Sequence, residues 1–98
     1  MNVTHLIQGV EFEWDADKAM INLDKHGISF EAACGAFFDP FLVPLADDIV
    51  DGEVRHAAVG MTADWQFLFL AYVWRGDTIR LISARRATRY QRKSYENR

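Results

Sequence analysis

Ninety-eight residues, half of them hydrophobic and a quarter charged, make one globular domain; a chain this short buries roughly 60–65% of its unfolded surface, enough for a single core. The lone cysteine, Cys34, excludes an internal disulfide, and the longest apolar run, Phe67 to Trp74, is too short to cross a bilayer as a helix. The net charge of −3 hides a division: residues 1–74 hold three Lys/Arg against twelve Asp/Glu, whereas residues 75–98 hold eight against two. A local basic surface attracts phosphate whatever the distant charges are. The alternative is that the acidic and basic parts neutralise each other within the fold.

Residues 1–9 carry no clear pattern and no basic leader followed by an apolar run, so neither a signal peptide nor a membrane segment is expected and the cytoplasm is the default location. The domain proper is expected over residues 10–98. Val10 to Trp14 alternates apolar and acidic residues, predicting a strand with Val10, Phe12 and Trp14 inward. Asp15 suits a helix N-cap, and Gly27 suits the C′ position that ends the helix. Between them Ala16, Ala19, Met20 and Leu23 have the spacing of a buried stripe. Ser29 caps a second helix carrying Phe30, Ala33, Cys34 and Phe37 on one face, ended by Asp39-Pro40. The two helices are expected to form an αα-hairpin on a sheet.

Phe41 to Leu45 is a candidate edge strand because it holds Pro44. An acidic loop, 47–53, leads to a strand from Val54 to Met61. Gln66 to Trp74 is apolar on both faces, as a central strand is. Arg75-Gly76-Asp77 turns the chain into a last strand, Thr78 to Arg86. Thr88 with Gln91 has the form of a capping box and opens a helix with Arg89, Arg92 and Lys93 on one face. The order is β-α-α-β-β-β-α, with room for one more strand. That is α+β, a mainly antiparallel sheet packed against the helical pair and the C-terminal helix.

His5, His26 and His56 share no metal-ligand spacing, no Cys-x-x-Cys exists, and neither a glycine-rich phosphate loop nor a G-x-S-x-G turn is present. No metal or other cofactor is expected. The remaining chemistry is cationic: Arg55 on one strand, with Arg75, Arg80, Arg85 and Arg86 on or beside the last hairpin. Arginine's planar fork matches two phosphate oxygens. Arg80 interrupts an apolar strand, so it must face solvent, a partner or a carboxylate. Lys25 and His26 close the first helix, where a cation also suits the helix dipole. Trp65, Tyr72, Trp74 and Tyr90 could stack on bases, though core packing is the simpler use for most of them.

The order of several short runs resembles the BrnT toxins, part of the wider RelE-like group. These are Phe12-Glu13-Trp14-Asp15, Lys18 with Asn22, Lys25 to Ala32 and Asp39-Pro40. Further along come Glu53-x-Arg55, Gly60, Arg80 to Ala87, Arg92 and Tyr95. One departure is Gln91, where the family usually has Glu before Arg92. The resemblance implies a RelE-like fold and a metal-free endoribonuclease in which the ribose 2′-OH attacks phosphorus. It implies His26 or Glu53 as base or acid, Arg55 and Arg80 as the phosphate clamp, and Lys25, Arg75, Arg85, Arg86 and Arg89 as RNA contacts. It also implies a ribbon-helix-helix antitoxin of the BrnA kind, a heterotetrameric neutralised complex, and operator DNA bound only through that antitoxin. Two other readings stay open: a non-catalytic module that acts with its antitoxin in repression, and arginines that contact DNA directly.

Overall fold

A seven-stranded, mostly antiparallel sheet and three helices make up the computed structural model, which describes residues 1–97; Arg98, counted above with the basic C-terminal residues, lies outside them. The strands are β1 (Asn2–Ile7), β2 (Val10–Asp15), β3 (Val43–Pro44), β4 (Asp48–Val50), β5 (Glu53–Met61), β6 (Phe67–Arg75) and β7 (Thr78–Arg86). The helices are α1 (Ala16–His26), α2 (Phe30–Cys34) and α3 (Arg89–Glu96), with a 3₁₀ turn at Gly35–Phe38. The strand order is β1-β2-β7-β6-β5-β3, with β4 also on β5; β2 and β7 are the one parallel pair.

Each cap expected from the sequence forms. Asp15 accepts from the Lys18 N–H, Ser29 from the Ala32 N–H, and Thr88 and Gln91 cap reciprocally. The Gly27 N–H closes α1 on the Leu23 carbonyl. The Lys18 N–H, opposed in part by desolvation, holds the Asp15 carboxyl below its ordinary range. A lowered carboxyl stabilises the folded state at neutral pH, and that contribution fades as acid protonates it.

Three elements differ from expectation. Residues 2–7 form β1, paired along its length with β2. The acidic segment 47–53 contains a hairpin, because Asp51-Gly52 takes left-handed backbone at both positions (φ 53° and 75°). Such turns match the twist of two antiparallel strands, and Asp-Gly is a strong signal for them. The third difference is the buried side of α1. Met20 and Leu23 are 67% and 48% exposed, and the one buried residue of the helix is Asn22.

Asn22 is buried where the pairing of β2 with β7 has ended. The two strands pair only at Phe12–Ile79 and Glu13–Arg80, so the backbone of β7 beyond that point lacks a ladder partner there. The Asn22 carboxamide takes that place: its oxygen accepts from Ala84 N (3.1 Å), and its nitrogen donates to Ala84 O (2.8 Å) and Ile28 O (2.9 Å). One side chain thus fixes α1 to the sheet and to the turn before α2. The core lies on the same side: Phe12, Trp14, Phe30, Cys34, Leu68, Leu70 and Leu81 are all at most 2% exposed. Gly60 belongs to this contact, since a Cβ there would lie 2.6 Å from the Ala36 carbonyl oxygen.

Replacing Asn22 by Ala leaves three buried backbone groups without a partner, each worth ~1–3 kcal/mol. Urea unfolding of Asn22→Ala should show stability lower by about 3 kcal/mol with an unchanged slope; a loss below about 1 kcal/mol would show that the amide is dispensable.

Candidate functional site

Successive side chains of a strand point to opposite faces. Leu68, Leu70, Leu81 and Ala84 face the core. An irregularity at Ile82, opposite Ala71 and Tyr72, lets Leu81 and Ala84 share that face although they are three residues apart; beyond it, the ladders put Glu53, Arg55, Val73, Arg75, Thr78 and Arg80 on the other face. The β6–β7 register places Arg80 beside Val73. On the other side of β6 the ladder ends at His56–Tyr72, which puts Arg55 level with Val73. Arg55 and Arg80 thus lie on one face in one row, roughly 10 Å apart, or two strand spacings.

The two arginines are in different states. The Arg80 guanidinium donates to Glu13 at 2.7 Å and to Asn2 Oδ1 at 3.3 Å, and the Arg80 and Glu13 side chains are only 17% and 21% exposed. Arg55 takes part in no ion pair among the described residues, and its Nε is buried without a hydrogen-bond partner. Asp48 lies across the β4–β5 ladder from it, yet the Asp48 side chain accepts from the Ile49 N–H instead. An unpaired donor on a charged group costs on the order of 1–3 kcal/mol.

Arg55 lines a cleft of about 550 Å³ between the β4–β5 hairpin and α3, floored by Ala57, Phe69 and Ala71. Helix α3 supplies Tyr90, Gln91 and Ser94 as its far wall. Glu53, two residues before Arg55 on the same face, pairs with Arg75 in an exposed salt bridge. Arg85 is half-buried: it stacks 4.3 Å over the Phe69 ring and donates to Arg86 O and Gln91 Oε1. Arg86 and Arg89 are exposed at the end of β7 and the start of α3.

Lys25 and His26 are elsewhere. They line a second, smaller cleft of about 180 Å³ between α1 and β7, with Lys18, Ile82 and Ser83. His56 also lines the Arg55 cleft; its Nδ1 lies 3.0 Å from Asp47 and its ring 5.5 Å from that of Tyr72. Burial raises the Tyr72 hydroxyl above its ordinary range, with the Asp47 charge adding to the effect. Cys34 is buried and its thiol is pushed up to about 12, so it is not a nucleophile at neutral pH. Among the described residues no three His, Cys, Asp or Glu side chains gather as a metal site, and no helix is long and apolar enough to cross a membrane.

Residues 14–91 match the family described as "Ribonuclease toxin, BrnT, of type II toxin-antitoxin system". The chain belongs to the BrnT family. The family is thus one of ribonuclease toxins, each paired with an antitoxin. Among solved structures the chain is similar to the Brucella abortus ribonuclease toxin BrnT, determined at 1.1 Å resolution. The identity is 22%, the likeness covers 78% of this chain and 94% of that one, and the TM-score is 0.52. At that identity the likeness speaks for the fold. No curated protein matches the sequence. The BrnT match spans Lys25, His26, Glu53, Arg55, Arg80 and the first turn of α3, and begins after all of β1 and most of β2.

Tyr90, which the sequence offers more readily to the core, is 81% exposed at the mouth of the Arg55 cleft. A clue was available: Tyr90 is the second residue of a helix whose Tyr95 is buried, and positions five apart lie on different faces.

The half-buried Arg80–Glu13 pair should couple more strongly than the exposed Arg75–Glu53 pair. Double-mutant cycles with Arg80→Met and Glu13→Gln are expected to give about 1–2 kcal/mol, against less than ~1 kcal/mol for Arg75→Met and Glu53→Gln. Equal coupling in the two cycles would contradict this division into a fixed and an openable pair.

Proposed function

We propose that the chain is a metal-independent endoribonuclease with a RelE-like arrangement, acting in the cytoplasm, and that its catalytic centre is the face carrying Glu53, Arg55, Arg75 and Arg80. Arg55 binds the scissile phosphate and stabilises the charge that gathers on its oxygens. Glu53, positioned by Arg75, takes the proton from the ribose 2′-OH. That oxygen bonds to phosphorus, the bond to the 5′-oxygen breaks, and the 5′-oxygen takes a proton from water. The products are a 2′,3′-cyclic phosphate and a 5′-hydroxyl. Arg80, held by Glu13, adds positive potential and walls the site. Arg85, Arg86 and Arg89 extend that potential toward α3, while Lys25 and His26 contact RNA farther along the strand.

The observation that carries this reading is the unpaired, half-buried guanidinium of Arg55 at an open cleft. His26 is the less favoured proton carrier because it lines a different cleft from Arg55. Regulation follows from the resemblance to BrnT toxins: a ribbon-helix-helix antitoxin covers the toxin in a heterotetramer and carries the complex to operator DNA. Exposed Met20, Ile21 and Leu23 on α1 favour a protein partner, and with it the second reading, a non-catalytic module acting in autorepression.

Purified protein incubated with single-stranded RNA in EDTA separates the two. Cleavage with cyclic-phosphate ends is expected. Arg55→Ala and Glu53→Gln should each slow it by at least ~10²-fold with an unchanged circular dichroism spectrum, and His26→Ala by less than ~10-fold. No cleavage by the wild type, or full activity in Arg55→Ala, would overturn the assignment.

A further inference from the structure

The cleft beside Arg55 is much larger than a phosphate requires. At about 550 Å³ it falls within the range of small-molecule sites, ~300–1,000 Å³. Its lining includes the apolar Ala57, Phe69 and Ala71, the cation Arg55, and Asp48, whose carboxylate is engaged by the Ile49 N–H. The Tyr90 ring stands at its mouth, 81% exposed, from the first turn of α3. An apolar lining, an exposed aromatic ring and an unpaired guanidinium are complementary to one nucleotide, the ring of Tyr90 to its base and the guanidinium of Arg55 to its phosphate.

The polar wall has a definite polarity. The Gln91 Oε1 accepts from the Thr88 N–H at 2.9 Å and from the Arg85 guanidinium at 3.2 Å. Those two donors fix the orientation of the amide, leaving its NH₂ as the group free to meet a ligand. This is the position at which the BrnT resemblance has Glu. A carboxylate making the same cap would offer an acceptor there, whereas Gln91 offers a donor.

We propose that this cleft is a nucleobase subsite: the base next to the phosphate bound by Arg55 stacks on Tyr90, and the Gln91 amide donates to an acceptor on the edge of that base. The subsite deepens the nuclease reading and rests on it for the place of the phosphate. It gives the chain a base preference at its cleavage position, directed toward bases that present a carbonyl or ring-nitrogen acceptor to α3.

The test reads binding apart from cleavage. A fluorescent 2′-O-methyl octamer cannot undergo attack by its own 2′-oxygen, and its affinity is measured by anisotropy for the wild type, Tyr90→Phe and Tyr90→Ala. Stacking is worth ~1–3 kcal/mol per base, so Tyr90→Ala should bind roughly 5- to 150-fold more weakly, and Tyr90→Phe should stay within ~2-fold of the wild type. On random-sequence RNA, Gln91→Glu should keep the fold while changing which base flanks the cut. Unchanged affinity in Tyr90→Ala, together with an unchanged flanking base in Gln91→Glu, would overturn the subsite even if RNA is cleaved. Conversely, a wild type that binds through Tyr90 but never cleaves would refute the nuclease reading while leaving the base contact standing.

Discussion

The two-residue period of β5, β6 and β7 is the constraint from which the site follows. Leu68, Leu70, Leu81 and Ala84 are committed to the core, an irregularity at Ile82 resets the alternation once between Leu81 and Ala84, and on either side of it the alternate positions are sent to the opposite face. A slip of one residue in any of these strands would bury Arg55 or Arg80 among Phe12, Phe30 and Leu70. The register is therefore held from several directions. Asn22 bonds the edge of β7 at Ala84, and the Asp51-Gly52 turn sets the start of β5. Gly60 admits the Ala36 carbonyl against β5 at a distance no side chain would allow. The stability of the core and the position of the arginines are thus one property of the chain.

The charge division between the two parts of the sequence is resolved in two ways at once. Arg80 with Glu13 and Arg75 with Glu53 each join a residue of the basic C-terminal quarter to one of the acidic body. Neutralisation thus accounts for a share of the asymmetry. Arg85 is fastened to its own domain by Phe69 and Gln91. Arg55, which belongs to the acidic part by position, has no ion-pair partner among the described residues, and its Nε has no hydrogen bond. Abundance of arginine was therefore a poor guide to the binding group, and the unused hydrogen-bonding capacity of one arginine is a better one.

Much of the fold was legible in the sequence because its signals are local. Asp15, Gly27, Ser29 and the Thr88–Gln91 box each act within one turn of helix, and the strands from Val54 to Arg86 announce themselves by alternation or by continuous apolar residues. What was not legible depended on distant partners. Nothing near Asn22 in sequence shows that a strand edge 62 residues away needs its amide, so Met20 and Leu23 look like the inward residues of α1 when they are not. The Asp51-Gly52 hairpin, by contrast, was written locally and was obscured by the surrounding acidic residues. The candidate site was legible as a set of residue types. That Glu53 and Arg55 share a face follows from alternation, but plain alternation would put Arg80 on the face of Ala84, and its place beside Arg55, its engagement by Glu13 and the separation of His26 from Arg55 required the fold.

In the proposed nuclease an RNA phosphate engages the guanidinium of Arg55, whose buried Nε–H has no partner. The most direct measurement is the ¹⁵N-edited NMR signal of the arginine Nε–H groups during titration with an uncleavable 2′-O-methyl RNA. A large, saturable shift of the Arg55 signal is expected, while the Arg80 signal, already held by Glu13, moves little. A titration in which Arg55 stays fixed while the signals of α1 or of Arg80 carry the change would contradict it.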